Sequence, residues 1–402
     1  MLAAACARRP SGSQIEFWAI GTEGEYAPPL VARFIAETGL RVATQAIPWT
    51  AAHQKLLTAF VGNSLPDLTM IRNSWLPELA LLGAFAPVPP GSSLLDGLFP
   101  AALASVLHDD VAIAVPWAVD AWVQFYRRDR LAAFGYETPP IDWNDWLRMA
   151  RDLKRHQGHD YVTLHLIDWP EPLFALAAQQ PEPLLRERNT FGNFRSAGFR
   201  DALARYKLVF DEHLSPIAQG AQFGDSLIAL RRGQILILPS NTTTIGDLQR
   251  RASWFPPELW AIASTPGIAG TPRAMASGIS LAVNRAAHNP EGAWRLAEYL
   301  CSPNSLISLY KAIGDLPARP AAWAAPAVAQ GIGTSVFARH INAGVAPPAV
   351  PEWERIVIEV QLIAERMVRG EFGVDGATDE MDRRVDLILE KRRKLVARGR
   401  NL

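Results

Sequence analysis

The stretch VAIAVPWAVDAWVQFYRRDRLAAFGY, from Val111 to Tyr136, is the part of the sequence around which the fold is interpreted. It opens with an unbroken apolar run, Val111 to Val115, which predicts a strand buried on both faces or a piece of buried helix. We expect the strand to end at Pro116, because proline lacks the N–H that a sheet requires. A second run, Ala121 to Tyr126, is rich in aromatic and β-branched residues and predicts another strand.

Two residues between these runs, Trp117 and Asp120, lie next to buried sequence. A carboxylate in such a place needs a hydrogen-bond partner or water. In one interpretation Asp120 caps a turn or faces solvent. In the other, the chain crosses here between two lobes, and Trp117 and Asp120 face the gap between them.

The length and composition exclude several classes of protein. A chain of 402 residues predicts two domains. It has 40 basic and 40 acidic residues, so no net charge attracts nucleic acid or an anionic membrane. The two cysteines, Cys6 and Cys301, exclude a disulfide framework and a cysteine-rich zinc site. Several of the 13 tryptophans fall in predicted loops, where they suit binding of flat, amphipathic ligands such as sugars.

The segment Leu2 to Cys6, LAAAC, resembles the lipobox of bacterial lipoproteins, in which small residues precede an acylated cysteine. We therefore interpret residues 1–13 as a lipoprotein signal remnant and linker, with Cys6 as the lipidation site. The charged and apolar regions of a signal peptide do not precede it, which leaves open a start upstream of Met1. The alternative is an alanine-rich start that arose by chance.

The first third of the chain alternates predicted strands and helices. Ile15 to Ile20, Val42 to Ala46 and Leu65 to Ile71 are predicted strands, and a helix is predicted between each pair. This order is typical of a parallel α/β sheet with right-handed crossovers. Ligands bind beyond the carboxyl ends of such strands, where the loops containing Gly21 to Glu25 and Asn73 to Trp75 are expected.

Helix boundaries are also indicated by sequence. Gly39 is predicted to end the first helix, and Asn289-Pro290-Glu291 to begin a later one. The proline-rich and alanine-rich segment Ala318 to Pro351 is expected to be irregular. Two helices, Glu352 to Arg369 and Thr378 to about Ala397, are predicted to finish the chain.

Motifs for catalysis are missing. No phosphate-binding glycine loop and no Gly-x-Ser-x-Gly motif is present. His156, His159 and Asp160, with His165 nearby, could bind a metal, but their polar segment favours a surface loop. Two catalytic carboxylates from distant segments, as in glycosidases, are left open. We predict no catalytic residue, no metal and no cofactor.

Six groups of residues together resemble the extracellular solute-binding proteins, family 1, the substrate-binding proteins of ABC sugar transporters. Maltose-binding protein belongs to the same broad family. The similarity extends from about residue 14 to 395, and the motifs occur in the order of the family. The residues that carry it are Ile15–Trp18, Phe34–Val42, Lys55–Phe60 with Leu65–Leu68, Val115–Trp117 with Asp120 and Phe125–Arg127, Gly314–Arg319, and Val350–Arg355.

The resemblance implies an α/β fold of the type II periplasmic-binding-protein class, in which two lobes are joined by a three-segment hinge and the ligand lies between them. The implied N-terminal lobe comprises residues 14–118 and 277–317, and the C-terminal lobe residues 121–272 and 322–400. The implied hinge crossings lie near 119–120, 273–276 and 318–321.

The resemblance also implies a set of ligand-binding residues. The family often has an aromatic residue where Ser240 and Asn241 stand, and Gly-Gly where Ser277 and Gly278 stand, so the chain departs from the family there. The implied positions are Glu23, Asn73, Trp75, Asp120, Trp169, Asn241, Ser277, Gly278 and Trp353.

The implied function is that of a non-catalytic receptor that binds a carbohydrate and delivers it to the permease subunits of an ABC importer. The expected protein is a periplasmic or extracytoplasmic monomer that meets the membrane only through its lipid anchor and binds no nucleic acid. The alternatives are a receptor for a glycerol phosphate or another polar solute, a receptor that serves a sensor, and a carboxylate-dependent carbohydrate-active enzyme.

Overall fold

The computed structural model describes residues 14–157, 161–268, 273, 275 and 277–399. The predicted signal remnant 1–13 with Cys6 lies outside the described residues, as do His159, Asp160 and two residues of the crossing predicted at 273–276.

The strands belong to two larger sheets and two short hairpins. They are β1 (Gln14–Ile20), β2 (Arg41–Ile47), β3 (Leu68–Arg72), β4 (Leu107–His108), β5 (Val111–Ala112), β6 (Val115–Asp120), β7 (Val123–Arg127), β8 (Leu185–Arg186), β9 (Phe191–Gly192), β10 (Ile237–Ser240), β11 (Trp260–Ala263), β12 (Ser277–Val283) and β13 (Leu316–Pro317).

Helices cover the sheets and form most of the second half of the chain. They are α1 (Gly21–Thr38), α2 (Trp49–Val61), α3 (Leu76–Leu81), α4 (Pro100–Ala104), α5 (Arg128–Ala132), α6 (Trp143–Gln157), α7 (Glu171–Ala177), α8 (Ala197–Asp211), α9 (Gly220–Phe223), α10 (Ser226–Arg232), α11 (Thr243–Arg250), α12 (Pro290–Leu300), α13 (Pro303–Ile313), α14 (Pro320–Trp323), α15 (Pro326–Ala329), α16 (Thr334–Asn342), α17 (Trp353–Val368), α18 (Val374–Ile388) and α19 (Glu390–Ala397). Asn73–Trp75, Ser93–Leu95 and Pro257–Leu259 are 3₁₀ turns.

The first lobe is built on a six-stranded sheet with the order β13-β6-β12-β3-β1-β2. Strand β1 pairs in parallel with β2 and β3, as the alternation of strands and helices predicted. Strand β12 returns from late in the sequence and pairs antiparallel with β3 and β6. The sheet is therefore mixed. Its core joins strand residues such as Phe17 and Leu281 to helix residues such as Phe34.

The second lobe contains the antiparallel sheet β10-β7-β11. Its core joins residues of α6, α7, α8, α17 and α18, among them Trp146, Phe199 and Ile356. Strands β6 and β7 lie in different sheets but are separated only by Ala121 and Trp122, so the chain passes from one sheet to the other directly after Asp120. Within the described residues, no helix is both long and apolar enough to span a bilayer.

The link between β1 and α1 differs from the loop expected at Gly21 to Glu25. Helix α1 begins at Gly21, so Glu23 lies in its first turn. Gly21 has a φ of +58°, and a Cβ there would lie 2.1 Å from Nε1 of Trp49. Only glycine fits this turn without displacing the tryptophan. The predicted helix end at Gly39 is confirmed, since Gly39 adopts a left-handed conformation.

Pro116 does not end a strand, and that prediction was wrong. It lies inside β6, where Ala118 pairs with Ile279 but Pro116 pairs with Ser280. Between these two pairs β12 advances by one residue while β6 spans two, which makes Trp117 the extra residue of a β-bulge. A proline is tolerated at a bulge because the ladder is already interrupted there.

Two expectations for the C-terminal part were also wrong. The segment Ala318 to Pro351, expected to be irregular, contains α14, α15 and α16. Pro320 and Pro326 start the first two of these helices, because a proline at the first helical position loses no hydrogen bond. The helix predicted from Thr378 begins earlier, at Val374, and Leu389 divides it into α18 and α19. Gly376, a weak helix former, concealed its first turn.

The predicted start of α12 is confirmed, and it gives a test of local stability. Oδ1 of Asn289 accepts a hydrogen bond from the amide of Gly292 at 3.0 Å. We expect Asn289→Ala to lower the free energy of unfolding by about 1 kcal/mol, measured by urea denaturation, because the amide loses its partner. Asn289→Ser keeps an acceptor and is the control. An alanine variant as stable as the serine variant would contradict the assignment.

Candidate functional site

A solvent-open cavity, called the cleft here, lies between the two lobes. The first lobe contributes the end of β3 and the turn that follows it, including Arg72, Asn73 and Ser74. The second lobe contributes the start of α7 and the start of α17, among other segments. The turn after β3 stands at the carboxyl end of a parallel strand, where this class of sheet binds ligands.

Hydrogen bonds cross the cleft between the turn after β3 and helix α17. Nε1 of Trp75 donates to Oε1 of Glu354 at 2.9 Å. Oγ of Ser74 donates to Oε2 of the same carboxylate at 3.4 Å. Trp75 is buried, and its ring meets that of Trp49 edge-on with centroids 5.9 Å apart. Glu354 therefore links the lobes in this structure.

An ion pair also crosses the cleft. Nη1 of Arg72 lies 3.8 Å from Oε1 of Glu171, at the start of α7. The guanidinium group is held over the rings of Trp49 and Trp75, 5.2 and 6.0 Å from their centroids. Burial raises the pKa of Glu171, and the charge of Arg72 opposes this shift.

Aromatic side chains of the second lobe supply the apolar surface of the cleft. Trp122 is half-buried, lines the cleft and meets the ring of Trp169 edge-on, with centroids 5.8 Å apart. Trp353 also lines the cleft but is almost fully buried, edge-on to Phe174 with centroids 5.6 Å apart. Trp122 is therefore the tryptophan that offers more of its ring to a ligand.

Asp120 is positioned where β6 ends and the chain leaves the first sheet. Its Oδ1 accepts hydrogen bonds from the amides of Ala121, at 2.8 Å, and Thr242, at 3.1 Å. These bonds tie the carboxylate to the start of α11 in the neighbouring segment. Burial raises the pKa of Asp120, although the bonds from Thr242 and the charge of Arg72 act in the opposite direction.

Two carboxyl groups are buried together near Asp120. Glu23 of α1 and Asp315, which precedes β13, are both buried and lie close enough to affect each other's ionisation. Burial raises the pKa of Glu23 to about 7. Burial, and then the negative charge of Glu23, raise the pKa of Asp315 well above its usual range. Two buried carboxylates near each other cannot both ionise without a large cost, so burial and mutual repulsion favour the protonated form.

The structure brings some of the predicted ligand-binding residues together and separates others. Asn73, Gly278 and Trp353 line the cleft, and Asp120 lines a smaller cavity beside it. Trp75 and Trp169 pack against other residues of the cleft region. Glu23 is buried against Asp315, and Asn241 follows β10, where its Oδ1 accepts a hydrogen bond from Thr243 at 2.8 Å. Ser277 pairs through its backbone with Asp120.

The cleft residues that sequence reasoning missed include Arg72, Trp122, Glu171 and Glu354. Trp122 lies two positions after Asp120 and Glu354 directly after Trp353, so proximity to predicted residues was a usable signal. Glu171 lies two positions after Trp169, at the start of α7. No such signal pointed to Arg72, because the sequence pattern indicates only that it is the last residue of a strand.

The comparisons with known proteins agree with this geometry. The family model described as bacterial extracellular solute-binding protein matches residues 18–305. The structure of the sugar-binding protein MalE from the phytopathogen Xanthomonas citri is 35% identical, with a TM-score of 0.88 over 96% of this chain and 99% of that one.

Two more distant structures show the same fold. The GacH receptor of Streptomyces glaucescens, solved unliganded and with acarbose, is 20% identical with a TM-score of 0.84, over 94% of this chain and 99% of that one. Maltose-bound MalE3 of T. maritima is 19% identical with a TM-score of 0.81, over 94% and 100%. The present chain has the two-lobed α/β fold of the periplasmic binding proteins, as the resemblance implied, and it belongs to the bacterial extracellular solute-binding protein family.

Proposed function

We propose that the protein is a receptor that binds an uncharged carbohydrate in the cleft. The main support for this proposal is the half-buried ring of Trp122, which lines a cleft that also contains the carboxylates of Glu171 and Glu354. A sugar has an apolar C–H face, which suits an aromatic ring, and a rim of hydroxyl groups, which donate hydrogen bonds to carboxylates.

The charge of the cleft argues against a glycerol phosphate. Its lining carries two carboxylates, Glu171 and Glu354, and one guanidinium, Arg72. That guanidinium already lies beside Glu171. A phosphate would have to displace this pairing and would meet the remaining carboxylate, which disfavours an anion.

The ligands of related proteins support a sugar. The Xanthomonas citri relative is described as sugar-binding, and the more distant structures hold acarbose, maltose or, in a protein of Thermotoga lettingae, α-D-tagatose. The family consists of binding proteins that are not enzymes, so the carboxylates of the cleft are assigned to ligand binding and not to hydrolysis.

The lobes would close on the ligand by a hinge motion, and the closed form would deliver it to the permease of an ABC importer. We assign the lobes to residues 14–118 with 277–317 and 121–272 with 322–400, and the crossings to 119–120, 273–276 and 318–321. The bonds from Ser74 and Trp75 to Glu354 support a closed form, because they join the lobes. The receptor would act as an extracytoplasmic monomer, anchored through Cys6.

A thermal-shift screen tests the proposal. Maltose, D-tagatose, acarbose and glycerol 3-phosphate are added to the purified protein at increasing concentration. A sugar at 100 times its Kd should stabilise the folded state by about 2.7 kcal/mol, which raises the Tm. Stabilisation by at least one sugar and none by the phosphate is the expected result. Stabilisation by glycerol 3-phosphate alone would overturn the assignment to carbohydrate.

A further inference from the structure

A smaller cavity lies beside the cleft, where β6 leaves the first sheet. Asn73, Ser105 and Met275 line both spaces, so the two adjoin each other. The free space inside the smaller cavity is about that of one water molecule. It is therefore large enough for a hydroxyl group of a sugar and too small for a sugar ring.

His340 of α16 lines this cavity and has no partner. Its side chain is 1% exposed, and neither ring nitrogen has a hydrogen-bond partner in the part of the chain that the structure describes. Burial lowers the pKa of His340 to about 4, so the ring is neutral at pH 7. A neutral imidazole has one donor and one acceptor, and leaving both unused when buried is unfavourable because neither regains the hydrogen bond it makes with water.

The other polar groups of the cavity are already engaged. Nδ2 of Asn73 donates to Oγ of Ser105 at 2.8 Å, and Oδ1 of Asn73 accepts from Oγ of Ser280 at 2.7 Å. Oγ of Ser105 donates to the carbonyl of Ala102 at 2.7 Å. Oδ1 of Asp120 accepts two backbone amides. The imidazole is therefore the group whose full hydrogen-bonding capacity is unused.

The geometry points to His340 as a specificity-determining residue that hydrogen-bonds a hydroxyl group of the bound sugar. The inference rests on the proposed function. A hydroxyl both donates and accepts, which matches a neutral imidazole. In this arrangement the ring of the sugar occupies the cleft, and a hydroxyl-bearing substituent passes between Asn73, Ser105 and Met275 into the smaller cavity. Asp120 would accept a second hydrogen bond from the same substituent.

The other interpretation is a histidine that serves only the core. The neighbouring residues Phe337 and Ile341 of α16 are part of an apolar cluster, and His340 could fill volume among them or hold one water molecule. These two interpretations make different predictions for an apolar replacement of similar volume. A residue that only fills space tolerates His340→Leu, whereas a residue that bonds the ligand does not.

The test compares the parent protein with His340→Leu and His340→Gln by isothermal titration with maltose, D-tagatose and acarbose. For each of these sugars that the parent binds, we expect the leucine variant to bind at least about tenfold more weakly, as loss of one buried hydrogen bond implies. The glutamine variant, which keeps a donor and an acceptor, should stay within about threefold. In the parent, the ¹⁵N resonances of the His340 ring should shift on addition of the sugar.

The outcomes separate this inference from the proposed function. Equal binding by parent and leucine variant, with unshifted His340 resonances, overturns the inference and leaves the sugar receptor standing. If no sugar binds the parent, the proposed function fails and the inference fails with it. If the leucine variant does not fold, the glutamine variant and the His340 resonances of the parent still test the inference. Resonances that do not shift when the sugar binds contradict a direct hydrogen bond.

Discussion

The Trp122→Ala variant is expected to bind its sugar on the order of 100-fold more weakly than the parent protein, as is typical when a central aromatic contact is removed. Trp122 is half-buried and lines the cleft, so its ring is available to the apolar face of a sugar. The contact with Trp169, edge-on at 5.8 Å, fixes the orientation of that ring before the ligand arrives. Isothermal titration at constant pH and salt concentration measures the change.

The matched control is Trp254→Ala, which removes the same side chain from another site. Trp254 is also half-buried, but its ring is in contact with the guanidinium groups of Arg231 and Arg251, whose carbons lie 4.7 and 5.8 Å from the ring centroid. We expect this variant to bind the sugar as the parent does. Equal losses of affinity in both variants would show a general effect on folding and would contradict the role assigned to Trp122.

The second large effect concerns the buried pair Glu23 and Asp315. The pKa of Glu23 is about 7 in the folded protein against 4.5 for the free group, so folding favours the protonated carboxyl. The stability that Glu23 contributes is fully present below pH 4.5 and is lost as the pH rises through 7. Since one pKa unit corresponds to about 1.4 kcal/mol, the unfolding free energy should fall by about 3 kcal/mol across this range on account of Glu23.

Comparing the pH dependence of the unfolding free energy in the parent and in Glu23→Gln separates the effect of Glu23 from that of other titrating groups. Glu23→Gln removes the ionisation, so its unfolding free energy should depend less on pH between 4.5 and 7 than that of the parent. Glu25→Gln, on the exposed side of the same helix, should leave the slope unchanged. Urea denaturation at a series of pH values gives the slopes. Identical slopes for parent and Glu23→Gln would refute the raised pKa of Glu23 in the folded protein.

Much of the first lobe could be predicted because its signals are local. The alternation of strands and helices predicted β1, β2 and β3, and Gly39 and Asn289 marked helix ends through their own conformational preferences. The rule that ligands bind beyond the carboxyl ends of parallel strands located Asn73. The two-lobed architecture was predicted from the resemblance to the family, and the comparison of structures confirms it.

The features that were missed depend on partners far away in the sequence. Pro116 is tolerated in β6 because its partner strand, β12, arrives about 160 residues later with a shifted register. The link between Trp75 and Glu354 joins residues 279 positions apart. No local pattern reveals either contact. His340 was overlooked for another reason, because the prolines of its segment suggested irregular structure. In the structure Pro320 and Pro326 start helices, and His340 lies in α16, which contains no proline.

The candidate site was predicted in outline and not in detail. Asp120, Gly278 and Trp353 were proposed from sequence and line the cleft or its neighbouring cavity. Glu23 was placed in a loop facing ligand, but it is buried in a helix against Asp315. A single sequence shows which carboxylates are near a strand end, whereas the direction of each side chain depends on packing between segments.

A crystal structure of the protein with the sugar that stabilises it most would show where the ligand binds. We expect density for a sugar ring in the cleft, against the face of Trp122, with hydroxyl groups bonded to carboxylates of the second lobe and to residues of the turn after β3. Both lobes would then contact one ligand. Density for the sugar outside the cleft, or on one lobe alone while the cleft stays empty, would show that the cleft is not the sugar-binding site.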